Sequence, residues 1–426
     1  MGWLKPFGAA LAIGVGVMVL AHGVQAVGPT PAAAQQTVET EDFTPAAAQP
    51  AVEADAFTPV LVRPVATATA PFAGDDGRFH VAYELWLTNA KAVPATVERI
   101  DIIDAENPSR VVRTLAGPDL AAAMTNLDVR PADGTALGPN ESRLVFIELT
   151  FDDEGEIPAA IAHRFTGTGA ANPGAQEPSP LSYVVARWPL DSFRPPVLGA
   201  PLRGDGWVAG NGCCSPGPHR SAVQSVNGGL DDGQRFAIDW MKLDADGRLV
   251  VGDPSRVENW VGYDQPVLAV ADGTVIAVAN DYDDQRPGAL PDPASFTTLE
   301  SVDGNHVVLD IGNGFFVFYA HLKKGTVTVS PGERVRAGQE LGRLGNSGNT
   351  SAPHLHLHVM AGPSPLGSTG LPYVYQDFTR TGAIDPVRFE AVGFDLTGSW
   401  GNRGLVTPTE HTNQLPLDLS IVNWPD

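Results

Sequence analysis

The chain has 426 residues, enough for two domains of ordinary size plus tails. Its 49 acidic residues against 27 basic ones give a formal net charge of -22, which argues against nucleic acid or any other polyanion as a partner. Two adjacent cysteines, Cys213 and Cys214, cannot build a disulfide framework. A vicinal ring, a reduced pair and zinc ligation by either one are the open alternatives.

Residues 1–26 read as a secretory signal peptide. Lys5 is the basic start, Phe7 to Leu20 is apolar and glycine-rich, and Val24-Gln25-Ala26 offers small-residue cleavage. The apolar run is short for a spanning helix, an uncleaved anchor being the alternative, and no later segment is long and apolar enough to span. An exported chain is expected, periplasmic or extracellular, monomeric and without a membrane span once processed. Residues 27–56 are rich in Ala, Pro, Gln, Thr and Glu and predict a disordered linker.

Residues 57–190 hold short runs that alternate or nearly alternate apolar and polar residues: 60–70, 78–89, 96–105, 142–151 and 182–190. Turn signals such as Asp75-Asp76-Gly77 and Asp133-Gly134 lie between them. This spacing predicts an antiparallel β-sandwich, immunoglobulin-like in general shape. The segment has no cluster of His, Cys or paired acids, so a spacer, substrate-positioning or interaction role is expected.

Phe193-Arg194-Pro195-Pro196 reads as a joint to a second domain, also mostly strand, over 197–375. The run 267–280 is punctuated by Asp272-Gly273, and 305–322 reads as a hairpin around Gly312-Asn313-Gly314. A Gly-punctuated pair follows at 331–348. Residues 376–426 predict a β/coil extension packing on this domain. The fold class expected is mostly β, a sandwich followed by an antiparallel-sheet domain.

The segment 345–359, GNSGNTSAPHLHLHV, places His354, His356 and His358 at alternate positions. On a strand they share one face, with Leu355 and Leu357 on the other. Five of the ten histidines fall within 306–358. Imidazole is a common zinc ligand, and a buried polar stripe is costly unless its nitrogens find partners. That concentration points to a catalytic metal centre.

The blocks DGTVIAVAN, NHVVLDIGNGFFVFYAHL and VRAGQELGRLGNSGNTSAPHLHLHV resemble the lysostaphin-type zinc endopeptidases of bacterial cell walls, over about 197–375. The resemblance implies His356 and Asp239 as zinc ligands. It implies His321 and His354 as general acid/base and transition-state stabilisers. The family's remaining ligand lies four residues before the Asp. Here that position is Arg235, which cannot ligate a metal.

His219 is the nearby upstream histidine that could take that place. Asn227-Gly228-Gly229 is a hairpin signal, and pairing centred near Gly229 sets His219 opposite Asp239, within reach of one ion. The competing reading leaves Arg235 in the ligand position and the site crippled. His358 and Tyr319 are expected as supporting residues behind the ligands. Asn349 and Thr350, in the turn before the site, are candidates to bind substrate. His306 is expected to be structural or at the groove edge. The function that follows is hydrolysis of peptide bonds in peptidoglycan, with Zn2+ as cofactor. The alternative is a catalytically impaired relative that binds cell wall or a partner and regulates another hydrolase.

Overall fold

The computed structural model describes residues 57–387, 389, 399–400 and 402–425. The expected signal peptide and linker therefore lie outside the described residues. Two five-stranded antiparallel sheets form the N-terminal part. One runs Val60–Pro64, Phe79–Asn89, Ser142–Phe151, Met124–Thr125, with Phe72–Ala73 on the side of Phe79–Asn89. The other runs Ser179–Pro189, Ala160–Gly169, Ala95–Asp104, Val111–Ala116, with Ala136–Leu137 paired to Ala95–Asp104.

Alternation decides which side chains meet between the sheets. Val81, Tyr83, Leu85 and Leu87 point inward against Ile100, Ile102, Ile161 and Phe165 in one core cluster. The other face of the Phe79–Asn89 strand does not meet water. Ala82 instead joins the core of the second domain, and Trp86 packs in a cluster with Val223 and Leu230. Phe72 makes an edge contact with Phe236 at 5.6 Å between ring centroids. The sandwich therefore buries both faces of this strand, one within itself and one against its neighbour.

The second part is built on a twelve-stranded sheet, with two two-stranded sheets, Gln224–Val226 with Gly229–Asp231 and Pro266–Leu268 with Glu340–Arg343, beside it among the described residues. The large sheet's central order is Gly204–Gly210, Ile238–Lys242, Leu355–Met360, Phe315–Leu322, Asn305–Gly312, Gly273–Ala279. The hairpin around Gly312 forms as read, with Gly312 paired to Phe315. The region expected as a C-terminal extension continues the same sheet. Val374–Ile384 pairs with Ser420–Trp424, which in turn pairs with Gly204–Gly210. Trp424 meets Trp240 edgewise at 5.1 Å, an aromatic contact that reaches across the intervening Gly204–Gly210 strand to the one that carries Asp239. Among the described residues no helix is long and apolar enough to cross a membrane.

Candidate metal centre

Two central strands build the floor of the centre. Asp239 pairs with His356 across the Ile238–Lys242 and Leu355–Met360 strands, and His356 pairs on its other side with Ala320. Leu355 and Leu357 drop into the main core, so the sheet's pleat turns His356 and His358 to the opposite face. His321 breaks the alternation. Strict pleating would put it on the core face with Tyr319, but its φ of 60° rotates the chain there. Its ring then lies 4.8 Å from that of His354 and 5.8 Å from that of His356. A left-handed non-glycine residue costs about 1–3 kcal/mol and persists only where surroundings enforce it. Here the His321 Nδ1–H donates to the Ser347 carbonyl at 2.7 Å, and its own carbonyl accepts from Gly345.

His219 reaches the centre by a different path from the expected hairpin register. The hairpin is short: Gln224–Val226 pairs with Gly229–Asp231, with Val226 opposite Gly229. Beyond Asp231 the chain turns through 233–236, because Arg235 and Ala237 donate their N–H groups to Asp232 and Gln234. Asp239 therefore lies opposite Gly210 and His356, not opposite His219. His219 sits in a turn at 218–221, and its Nδ1–H donates to the Ala237 carbonyl at 3.0 Å. That bond aims Nε2 at Asp239 Oδ1, 3.2 Å away. Arg235, four residues before Asp239, does not enter the centre. It is fully buried against Glu84 and Asp232.

The ligand atoms of His219, Asp239 and His356 all lie within 4.8 Å of one another, and those of His321, His354 and His356 form an overlapping group. Asp239 Oδ1 is the hub. His356 Nδ1 lies 3.0 Å from it and His354 Nε2 3.1 Å. The outer nitrogens are tied off. His354 Nδ1–H donates to the Ala352 carbonyl at 2.7 Å, and His356 Nε2 meets His358 Nδ1 at 3.0 Å. A carbonyl can only accept, so Nδ1 of His219 and of His354 carries a proton, and Nε2 of each is the nitrogen that faces the carboxylate. Lone pairs crowding a carboxylate repel unless a proton or a metal ion lies between them. The donor set, two imidazoles and a carboxylate with fixed tautomers, fits zinc.

Electrostatics follow from this crowding. Burial would raise the Asp239 carboxyl, but the facing His219 and His354 hold it well below the usual range. Burial would depress His219, yet Asp239 raises it above its ordinary value. Burial and the neighbouring His354 and His356 push His321 well below. His356 falls to about 4, chiefly through burial, with Asp239 opposing.

Several residues differ from expectation or were missed. Tyr319 lies on the core side, where its hydroxyl accepts from the Val270 N–H at 2.8 Å, so it does not back the ligands. The strand's period of two puts it opposite Leu357 rather than beside His356. Thr350 is 2% exposed, and its hydroxyl bonds Asn346, Ala352 and the His354 ring inside the turn. It orders the loop that presents His354 and has no face for a substrate. Asn349 is half-buried at the loop surface, its N–H donated to the Val302 carbonyl at 2.8 Å. His306 is buried, bonded to the Gly304 carbonyl, outside both ligand groups. Cys213 and Cys214 form a vicinal disulfide, so neither sulfur is a free ligand. Asn211 was not foreseen. Its amide donates to Asp239 Oδ2 at 2.8 Å and leaves Oδ1 for the centre. The signal was available in Gly210-Asn211-Gly212, which ends a strand with a residue suited to φ of 55°.

Residues 260–367 match the family model described as Peptidase family M23. This stretch is similar to the lysostaphin-type M23 peptidases. The matched residues include His321, His354 and His356 and stop short of His219 and Asp239. Peptidoglycan DD-endopeptidase ShyA of Vibrio cholerae is 37% identical over 65 residues, 15% of either chain. Lysostaphin of Staphylococcus staphylolyticus is 33% identical over 111 residues, 26% of this chain and 19% of that protein. The chain thus spans well under a third of these relatives' lengths. The catalytic domain of lysostaphin from Staphylococcus simulans is 19% identical, over 39% of this chain and 88% of that one, with a TM-score of 0.22.

Proposed function

We propose that this protein is an exported, monomeric zinc endopeptidase that hydrolyses peptide bonds in peptidoglycan stem peptides or cross-bridges. The observation that carries the reading is the convergence of His219, Asp239 and His356, each imidazole with its outer nitrogen already bonded. These three residues would hold the metal. Three protein ligands leave a position for water, the pattern of a catalytic rather than a structural zinc site. Zinc in such a site lowers the pKa of its water toward about 7 and polarises a peptide carbonyl.

The chain's own residues supply the rest. His321 and His354 are each held through Nδ1 by a backbone carbonyl, so each points Nε2 into the centre. Burial keeps His321 neutral, which suits it to accept a proton from the attacking water. His354 lies beside it and can hydrogen-bond the carbonyl oxygen or return a proton to the leaving amine. Asn211 holds the far oxygen of Asp239 and fixes the carboxylate's rotation.

The reading of an impaired, wall-binding relative rested on Arg235 in a ligand position and on the long separation of His219 from Asp239 in the chain. Arg235 is directed away from the centre, which supports the peptidase reading over it.

The test is zinc content and peptide release from purified peptidoglycan, measured together. Wild type is expected to hold one zinc and release peptides. His356→Ala and Asp239→Ala should lose both. His321→Ala and His354→Ala should keep zinc and lose about 10²–10⁴-fold in turnover. Loss of zinc from His354→Ala would instead favour His321, His354 and His356 as the ligand set. Zinc without peptide release from any wall type would favour the binding relative.

A further inference from the structure

His219 lies outside the strands of the large sheet, so its position depends on what holds its turn. The next residue, Arg220, is 3% exposed. Its guanidinium donates to Glu84 Oε1 at 2.8 Å, to the Tyr83 carbonyl at 3.1 Å, to the Ile147 carbonyl at 2.6 Å and to the Cys214 carbonyl. Tyr83, Glu84 and Ile147 belong to the N-terminal sandwich. The second oxygen of Glu84 accepts from Arg235 at 2.8 Å, in the turn that leads into the Asp239 strand. Glu84 has no exposed surface. One carboxylate from the first domain therefore ties two segments of the second. One tie lies one residue from His219 and the other four residues from Asp239.

We propose that Glu84 is a positioning residue of the metal centre. Through Arg220 and Arg235 it sets the separation of His219 and Asp239, which makes the N-terminal domain part of the metal-binding unit. The inference rests on His219, Asp239 and His356 being the ligands. Its physical basis is the difference between charges and apolar packing. A buried ion pair is weak support for stability, since well-packed hydrophobic residues of similar volume often serve as well. Planar guanidinium forks do fix direction and distance. Such a tie matters here because the ligand four residues before Asp239 is absent, and a turn must hold His219 without a strand ladder.

The experiment uses the full chain. Glu84→Asp keeps the charge and withdraws it by one methylene. Zinc affinity is measured by chelator competition, and the visible spectrum of the cobalt-substituted protein reports ligand geometry. Glu84→Asp is expected to lose about 10–100-fold in zinc affinity and to shift the cobalt spectrum, as displaced outer-shell partners do. In a His219→Ala background the same change should cause no further loss, because its effect passes through His219. Arg220→Lys, which loses the fork but keeps the charge, reads the same tie if Glu84→Asp does not fold. Wild-type affinity in a folded Glu84→Asp, with His219→Ala impaired, overturns the proposal and leaves the metal reading intact. So does an equal loss in both backgrounds, which marks a general structural role. A wild type without zinc overturns both.

Discussion

Each imidazole lining the centre has one nitrogen committed elsewhere, so the proposed metal site depends on the residues behind its candidate ligands as well as on those ligands. Backbone carbonyls of Ala237, Ser347 and Ala352 fix His219, His321 and His354. His356 is the exception and depends on another side chain, His358. The alternation of His354, His356 and His358 was legible because a strand's period of two is local. Its partition into roles was not, because it depends on what faces each ring across the sheet. His358 is fully buried, packed against Phe318 at 5.2 Å between ring centroids. His358→Phe should fill the same space and leave His356 without its outer partner. Zinc affinity is expected to fall about 10–100-fold with the fold retained. Chelator competition beside circular dichroism checks this, and unchanged affinity would show that His356 needs no such support.

Among elements, the turn Gly345 to Ser351 governs the presentation of two histidines. Ser347 accepts from His321 through its carbonyl, while its hydroxyl donates to the Leu322 carbonyl and accepts from the Asn305 N–H. The turn can press this close because Gly348 lacks a side chain. A Cβ there would stand 2.6 Å from the Val302 carbonyl oxygen and from the Gly304 nitrogen, at a φ of 84°. Gly348→Ala is expected to destabilise by about 2–5 kcal/mol, combining left-handed strain with overpacking. Gly314→Ala is the control. It has φ of 79° and nothing within 4 Å, so about 1–2 kcal/mol of backbone cost is expected alone. Urea unfolding of both variants separates the terms, and equal losses would mean the close approach carries no weight. The short hairpin at 224–231 teaches the opposite lesson. Asn227-Gly228-Gly229 does mark a turn, but the second turn at 233–236 stops its register short of His219 and Asp239. Hydrogen bonds between neighbours ended the ladder before it reached the ligands.

At the scale of the whole molecule, the sandwich and the large sheet share buried surface through Phe72, Ala82 and the Glu84 cluster. A single cooperative unfolding transition is expected, coincident by tryptophan fluorescence and circular dichroism. Acid should weaken it through a group far from the metal centre. His163 is fully buried, its Nδ1–H donated to the Ala186 carbonyl at 3.0 Å and its Nε2 accepting from the Tyr83 hydroxyl at 2.8 Å. Burial lowers its pKa to about 4 from an ordinary 6.5. The folded state then binds fewer protons than the unfolded state between those values, so stability is full above pH 6.5 and falls as pH drops toward 4. The loss from this one group is about 3 kcal/mol at most. His163→Gln should show a shallower fall over that window in denaturant titrations at each pH. Parallel slopes would exclude His163 as the source, and two separate transitions would show that the domains unfold independently.

The sequence by itself determined the mostly β character, the two runs of strands and the histidine face at 354–358. Each is written in local periodicity and turn chemistry, which act over a few residues. It also marked Asp239, His321 and His356 through a resemblance carried by short motifs. Only the tertiary structure decided how His219 arrives, where Arg235 is directed, and why the Phe79–Asn89 strand carries a buried glutamate. These depend on contacts between residues more than a hundred positions apart, Glu84 with Arg220 and Arg235 foremost. No local pattern encodes such a contact. A glutamate in an alternating strand looks solvated until a second domain covers it and supplies the two guanidinium groups that keep its charge satisfied.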